Sequence, residues 1–128
     1  MDLQRSGVIL CTEQYEACVD FYRRILELPE LFSLDDEHST LTCLRMGGSY
    51  LMIETGGRAM PGGRSIEQSP VKLRFNVGDV DAAAGLLESR GVRVAIRRET
   101  WGTVGDFVDP DGNRCSLRDE GSFLPSLP

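Results

Sequence analysis

The strongest constraint on what this chain folds into is an internal repeat: the residues that pattern its first half return 65 positions later. Gly7-Val-Ile-Leu-Cys-Thr12 is a short apolar run ending on a threonine suited to cap a helix, and Cys18, Phe21, Tyr22, Ile25 and Leu28 then recur at helical spacing. Val71 to Val77 alternates with the period of a strand. Asp79 is placed to cap the second helix, in which Val80, Ala83, Leu86 and Leu87 share a face that Gly91 terminates. Under the shift, Val8 falls on Leu73, Leu10 on Phe75, Ala17 on Ala82, Cys18 on Ala83, Phe21 on Leu86 and Tyr22 on Leu87. Each half therefore opens strand-helix with the same core positions.

Strand-like segments come after each helix: Glu30 to Ser33, Ser39 to Met46 and Ser49 to Glu54 in the first half, then Arg93 to Arg98, Thr103 to Asp109 and Arg114 to Arg118 in the second. The class is α+β, with two βαβββ modules. A sheet with one helix on one face leaves the other bare, so the two modules are expected to pair into a cup-shaped mixed sheet enclosing a small-molecule cavity.

The chain is expected to form a single domain over 1–128: module one at about 5–55, a linker at 56–70, module two at 71–119 and a tail at 120–128. The linker is rich in Gly and Pro and reads as a flexible connector or lid. It is not a phosphate loop, because Gly63 stands where that motif needs Lys, and Pro61 and Pro70 oppose the helix that such a loop requires after it. Asp109-Pro-Asp-Gly-Asn113 reads as a tight turn with Gly112 at positive φ.

No apolar run approaches the roughly 20 residues of a membrane span, and the N-terminal MDLQRSG lacks a signal peptide's apolar stretch. The expected location is the cytoplasm. A net charge of −6, with no long Lys/Arg block, argues against nucleic-acid partners. Cys11, Cys18, Cys43 and Cys115 form no CxxC pair and read as reduced, mostly buried thiols; only Cys115, between Arg114 and Arg118, has cationic neighbours.

Three segments in order, Glu16-Ala-Cys-Val-Asp-Phe-Tyr-Arg-Arg-Ile-Leu-Glu-Leu28, Gly78-Asp-Val-Asp-Ala-Ala83 and Asp109-Pro-Asp-Gly-Asn-Arg114, together with the repeat, resemble the vicinal oxygen chelate superfamily. That superfamily contains glyoxalase I, extradiol dioxygenases, fosfomycin-resistance enzymes and bleomycin-binding proteins. The resemblance runs from about Gly7 to Asp119 and implies the glyoxalase/bleomycin-resistance/dioxygenase fold. It also implies a divalent metal held by His or Glu at the start of each module's first strand and on each module's last strand.

Carried onto this chain, those positions fall on Gly7, Lys72 and Ser116, with only Met52 and Glu54 on the first module's last strand to supply a carboxylate. Glycine offers no side chain, an ammonium is a donor that repels a cation, and a serine hydroxyl is a poor ligand. The chain's one histidine, His38, sits in the polar Asp35-Asp-Glu-His-Ser39 loop. The expected metal ligands are none, and the expected cofactor is none, with a divalent metal as the alternative.

In such a fold the cup-facing positions continue to Ile9 and Cys11 on one strand and Arg74 and Asn76 on its counterpart, with Arg114, Ser116 and Arg118 on the last. The candidate ligand-binding residues are Lys72, Arg74, Asn76, Glu54, Met52, Tyr50, Trp101 and Ser116. Their cations suit a carboxylate or phosphate, and Trp101 offers a flat surface for stacking. Arg114 and Arg118, near strand ends, read first as solvated charges. Glu54, poised by Lys72, is the one weak candidate for a catalytic base.

The leading expectation is a metal-free small-molecule-binding protein, its pocket suited to an organic anion. The alternative is a glyoxalase-like lyase or isomerase, or a dioxygenase-related enzyme, with an atypical site around Glu54. A third reading is a structural subunit whose cup is filled by its own side chains or by Gly121–Pro128. The resemblance also implies a homodimer.

Overall fold

A computed structural model describes residues 1–128. It divides into two compact units, Met1–Pro61 and Gly62–Pro128, with the boundary inside the predicted connector. The first carries β1 (Gly7–Thr12), a helix that begins as α1 (Tyr15–Asp20), β2 (Glu30–Asp35), β3 (Thr40–Met46) and β4 (Ser49–Thr55). The second carries β5 (Leu73–Val77), α2 (Val80–Ser89), β6 (Ala95–Glu99), β7 (Gly102–Val108) and β8 (Arg114–Asp119), then a short helix α3 (Glu120–Phe123). Each unit is the predicted βαβββ module with the same topology: strand orders β1-β4-β3-β2 and β5-β8-β7-β6, the first pair of each sheet parallel and the rest antiparallel.

Alternation along the strands separates two faces in each sheet. In module one Leu44, Leu51 and Ile53 are fully buried on the helix side, where the Tyr15 and Thr42 hydroxyls lie 2.6 Å apart. In module two Leu73, Phe107, Cys115 and Leu117 are buried against α2, and the rings of Phe75 and Phe107 stack at 6.5 Å. Gly105 has a packing reason: a Cβ there would lie 2.8 Å from Val94 Cγ1, so a side chain would push away the segment that follows α2.

The helices depart from the repeat in detail. The first widens after α1 to a π turn over Phe21–Ile25, with Leu26 N–H donating to the Phe21 carbonyl at 2.9 Å. Its buried residues are Cys18, Val19, Phe21 and Tyr22. In α2 the buried set is Val80, Ala84 and Leu87, at i, i+4 and i+7, and Leu86 points outward at 43 % exposure. Phe21 and Leu86 are thus equivalent in the repeat but not in burial. Phe21 opens the π turn, whereas Leu86 lies within a regular α-helix.

Asp79 caps α2 as expected, its carboxylate accepting from Ala82 N–H at 3.0 Å, and Gly91 at φ 87° ends it. Thr12 is not a cap. Its hydroxyl donates to the Glu54 carbonyl at 2.8 Å, tying β1 to β4, and Gln14 occupies the cap position without a side-chain bond.

The predicted connector is tied down on each side of the boundary. Gly56 and Gly57 N–H groups donate to the Thr12 carbonyl, and Ala59 N–H donates to the Glu13 carboxylate; beyond the boundary, Arg64 N–H donates to the Gly112 carbonyl. A Cβ at Gly57 would fall on the Cys11 carbonyl, which accounts for the glycine there.

Candidate functional site

The face of each sheet away from its helix holds the predicted site residues. In module two the rungs of that open face run Arg74–Ser116–Asp106–Ala95 and Asn76–Arg118–Val104–Arg97. Lys72 precedes the first rung and Arg114 begins β8 on the same side. Five cations therefore share the face with three carboxylates: Asp106, Glu99 and Glu120, which accepts from Asn76 Nδ2 at 3.0 Å.

Asp106 is the centre of this cluster and was missed in the sequence. Arg97 Nε donates to its Oδ2 at 2.8 Å, and Lys72 Nζ lies 3.7 Å from its buried Oδ1, an ion-pair distance too long for a hydrogen bond. Arg97 also meets Glu99 at 2.7 Å. Partial burial pushes the Asp106 carboxyl up in pKa, but the Arg97 bond and the charges of Lys72 and Arg97 outweigh it and hold it below the usual carboxylate range. The folded state thus binds this proton more weakly than the unfolded chain. The stabilisation is complete above about pH 4 and is lost as pH falls through the depressed pKa. Asp106→Asn is expected to flatten the acid limb of a stability-versus-pH curve measured by urea unfolding; an unchanged limb would show that Asp106 does not contribute to it.

Arg74 is different from its neighbours: it is exposed on this face and makes no hydrogen bond or ion pair. Partial desolvation and the like charges of Arg118 and Arg97 draw its pKa down, with Asp106 pulling the other way. Arg114 Nη1 donates to the Ser69 carbonyl at 3.3 Å. Lys72, Asp106, Val108 and Arg114 border a pocket of about 290 Å³. Ser116 is fully buried beneath them, its hydroxyl donating to the Leu117 carbonyl at 3.2 Å.

Arg118 is not a freely solvated charge. Its guanidinium lies 4.7 Å from the centre of the Trp101 ring and 5.1 Å from that of Phe123, and Nη2 donates to the Trp101 carbonyl at 3.2 Å. Trp101, in the β6–β7 turn and 45 % exposed, thereby gives one ring face to Arg118. The tail enters the same assembly through Phe123 and through Ser122, whose N–H donates to Asp119 at 2.9 Å.

In module one the register puts Gly7 beside Tyr50, Ile9 beside Met52 and Cys11 beside Glu54. A Cβ at Gly7 would land on the Tyr50 ring, so this ring fills the space of the first-strand metal ligand that the resemblance implies. Glu54 is four residues along β4 from Tyr50, roughly 13 Å at strand rise. Its partner is the Cys11 thiol at 3.6 Å, whose pKa burial and the adjacent carboxylate raise. Lys72 is paired with Asp106, so the ammonium predicted to poise Glu54 has another carboxylate. Nowhere do three His, Cys, Asp or Glu side chains converge. A missing side chain, an ammonium and a buried hydroxyl do not fit a divalent cation. Cys115 faces the core with its thiol toward the Asn113 carbonyl, away from the guanidinium groups that flank it in sequence.

Among solved structures, the antibiotic-binding protein TnmS3 from Streptomyces sp. CB03234 superposes with a TM-score of 0.74 at 24 % identity, covering 93 % of this chain and 98 % of that one. A glyoxalase/bleomycin resistance protein from the same organism gives 0.68 at 24 %, covering 90 % and 99 %. Lactoylglutathione lyase from Agrobacterium tumefaciens gives 0.69 at 18 %, covering 93 % and 95 %. At these identities the likeness is one of fold. A search of curated proteins finds no match. No helix is long and apolar enough to cross a membrane. The model of one protein family matches residues 6–117, nearly the whole repeat, and with the two βαβββ modules this establishes that the chain belongs to the Glyoxalase/Bleomycin resistance protein/Dioxygenase superfamily.

Proposed function

We propose that this protein binds an organic anion without a metal, as a sequestering protein rather than a metal-centred enzyme, and that the open face of module two supplies the recognition. The observation that carries this reading is Arg74, an unpaired guanidinium among Lys72, Arg97 and Arg118 on a face where cations outnumber carboxylates. A planar guanidinium offers a carboxylate or phosphate two parallel donors, and its neighbours' charge favours any anion that replaces water there. Lys72 and Asn76 flank it, and Trp101 holds Arg118 in place behind it. A neighbour in fold that binds an antibiotic makes sequestration a natural role.

In this reading the protein is a cytoplasmic homodimer with no nucleic-acid or membrane partner. The open face of module one supports self-association: Ile9, Met52, Cys43 and Phe32 form one continuous rung, and Ile9, Phe32 and Leu34 are each about half exposed.

A thermal-shift panel of aromatic and aliphatic carboxylic acids, each beside its neutral amide, tests the proposal. Acids are expected to raise the melting temperature in a concentration-dependent way and amides to leave it unchanged. Equal shifts from acids and amides would remove charge recognition from the account.

A further inference from the structure

Module one carries a second concentration of unpaired positive charge. Arg5, from the segment before β1, and Arg45, on β3, both border a pocket of about 240 Å³ at the β3–β4 hairpin, with Leu31 and Tyr50 as its apolar wall and Gly47-Gly48-Ser49 at its rim. Arg23 and Arg24 of the same module sit on carboxylates, at 2.8 Å from Glu30 and from Asp20. Arg5 and Arg45 meet none, and no acidic residue borders the pocket. Two guanidinium groups in one concavity repel each other, and in a chain of net charge −6 they stand out as a local positive field.

The surrounding structure fixes the shape of this pocket. Gly47 at φ 59° makes the two-residue hairpin loop, and Gly47 and Gly48 add no side chain to the rim, where the Ser49 hydroxyl is tied to the Met46 carbonyl at 2.9 Å. The Tyr50 ring lies over Gly7, where any side chain would displace it, and so stands as a wall beside the charges. Leu31 is 48 % exposed at the irregular start of the β2–β3 pairing.

We infer that this pocket is a separate site for a small aryl carboxylate, the oxyanion held between Arg5 and Arg45 and the ring set against Leu31 and Tyr50. Charge and apolar wall together select that class: two forks suit an oxyanion, and the volume admits one ring. This inference does not depend on the Arg74 face, since it uses no residue of module two.

The test is a two-dimensional NMR titration of the full chain with sodium benzoate, following the amides of Gly47, Gly48 and Ser49. Saturable shifts are expected there, with affinity lowered about tenfold in Arg5→Gln and in Arg45→Gln, both exposed side chains whose loss leaves the core intact. Arg74→Gln should leave these shifts as they are, so failure of the module-two reading is seen separately. Inorganic phosphate, lacking a ring, should bind more weakly. Absence of saturation at millimolar benzoate, shifts that survive both arginine substitutions, or phosphate binding as tightly as benzoate would each overturn the inference.

Discussion

Arg74→Glu is expected to weaken binding of the best organic acid on the order of 100-fold, with the fold unchanged. The side chain makes no bond within the protein, so its removal strands no partner. What is lost is a charge-assisted hydrogen bond to the ligand, about 1.5–3 kcal/mol, and the new carboxylate adds repulsion toward the anion. Arg93→Glu changes net charge equally from an exposed position just before β6, outside the open-face rungs, and serves as the control. Calorimetric titration of both variants separates local recognition from the general field. Equal losses would mean that only net charge matters, and no loss in Arg74→Glu would place the anion elsewhere.

Leu51→Ala is expected to cost about 2–5 kcal/mol of stability. Leu51 is fully buried at the centre of the first sheet, paired with Val8 on β1 and Leu44 on β3, and truncation leaves a cavity that two hydrogen-bonded neighbours cannot collapse. Leu86→Ala should cost well under half as much, because Leu86 already faces water on α2. Urea unfolding of the two variants checks both values together. Similar costs would mean that Leu86 is core, as its equivalence to Phe21 in the repeat suggests, and that the outward placement is wrong.

The contrast between those two leucines marks where sequence reading works and where it stops. An apolar run at Gly7–Thr12, alternation at Val71–Val77 and strand-like composition elsewhere located every strand to within a few residues, because strand formation with one buried face is largely a local property of the residues themselves. The helix faces were less legible. Nothing in Phe21-Tyr-Arg-Arg-Ile25 announces a π turn, which depends on how the helix must meet its sheet. Lys72 came from the resemblance and Arg74 and Asn76 from alternation extended from it; the β5–β8 register puts Arg74 and Asn76 on the open face with Ser116 and Arg118. Asp106 was hidden because its meaning lies in partners on β6 and before β5, and pairing across strands depends on register. Register also separates Glu54 from Gly7: counting along β4 cannot tell Tyr50 from Glu54, since both lie on the same face. Arg5 and Arg45 are 40 residues apart and share a pocket only through the sheet.

The central claim is that anion recognition here is independent of a metal. The most direct measurement is calorimetric titration of chelator-treated protein with the strongest acid from the thermal panel, repeated after adding back Zn²⁺, Ni²⁺, Mn²⁺ or Fe²⁺. Saturable binding is expected in the chelator-treated protein, with the same affinity after each metal is restored; binding that appears only with a metal present would mean that the metal, not the guanidinium face, recognises the anion.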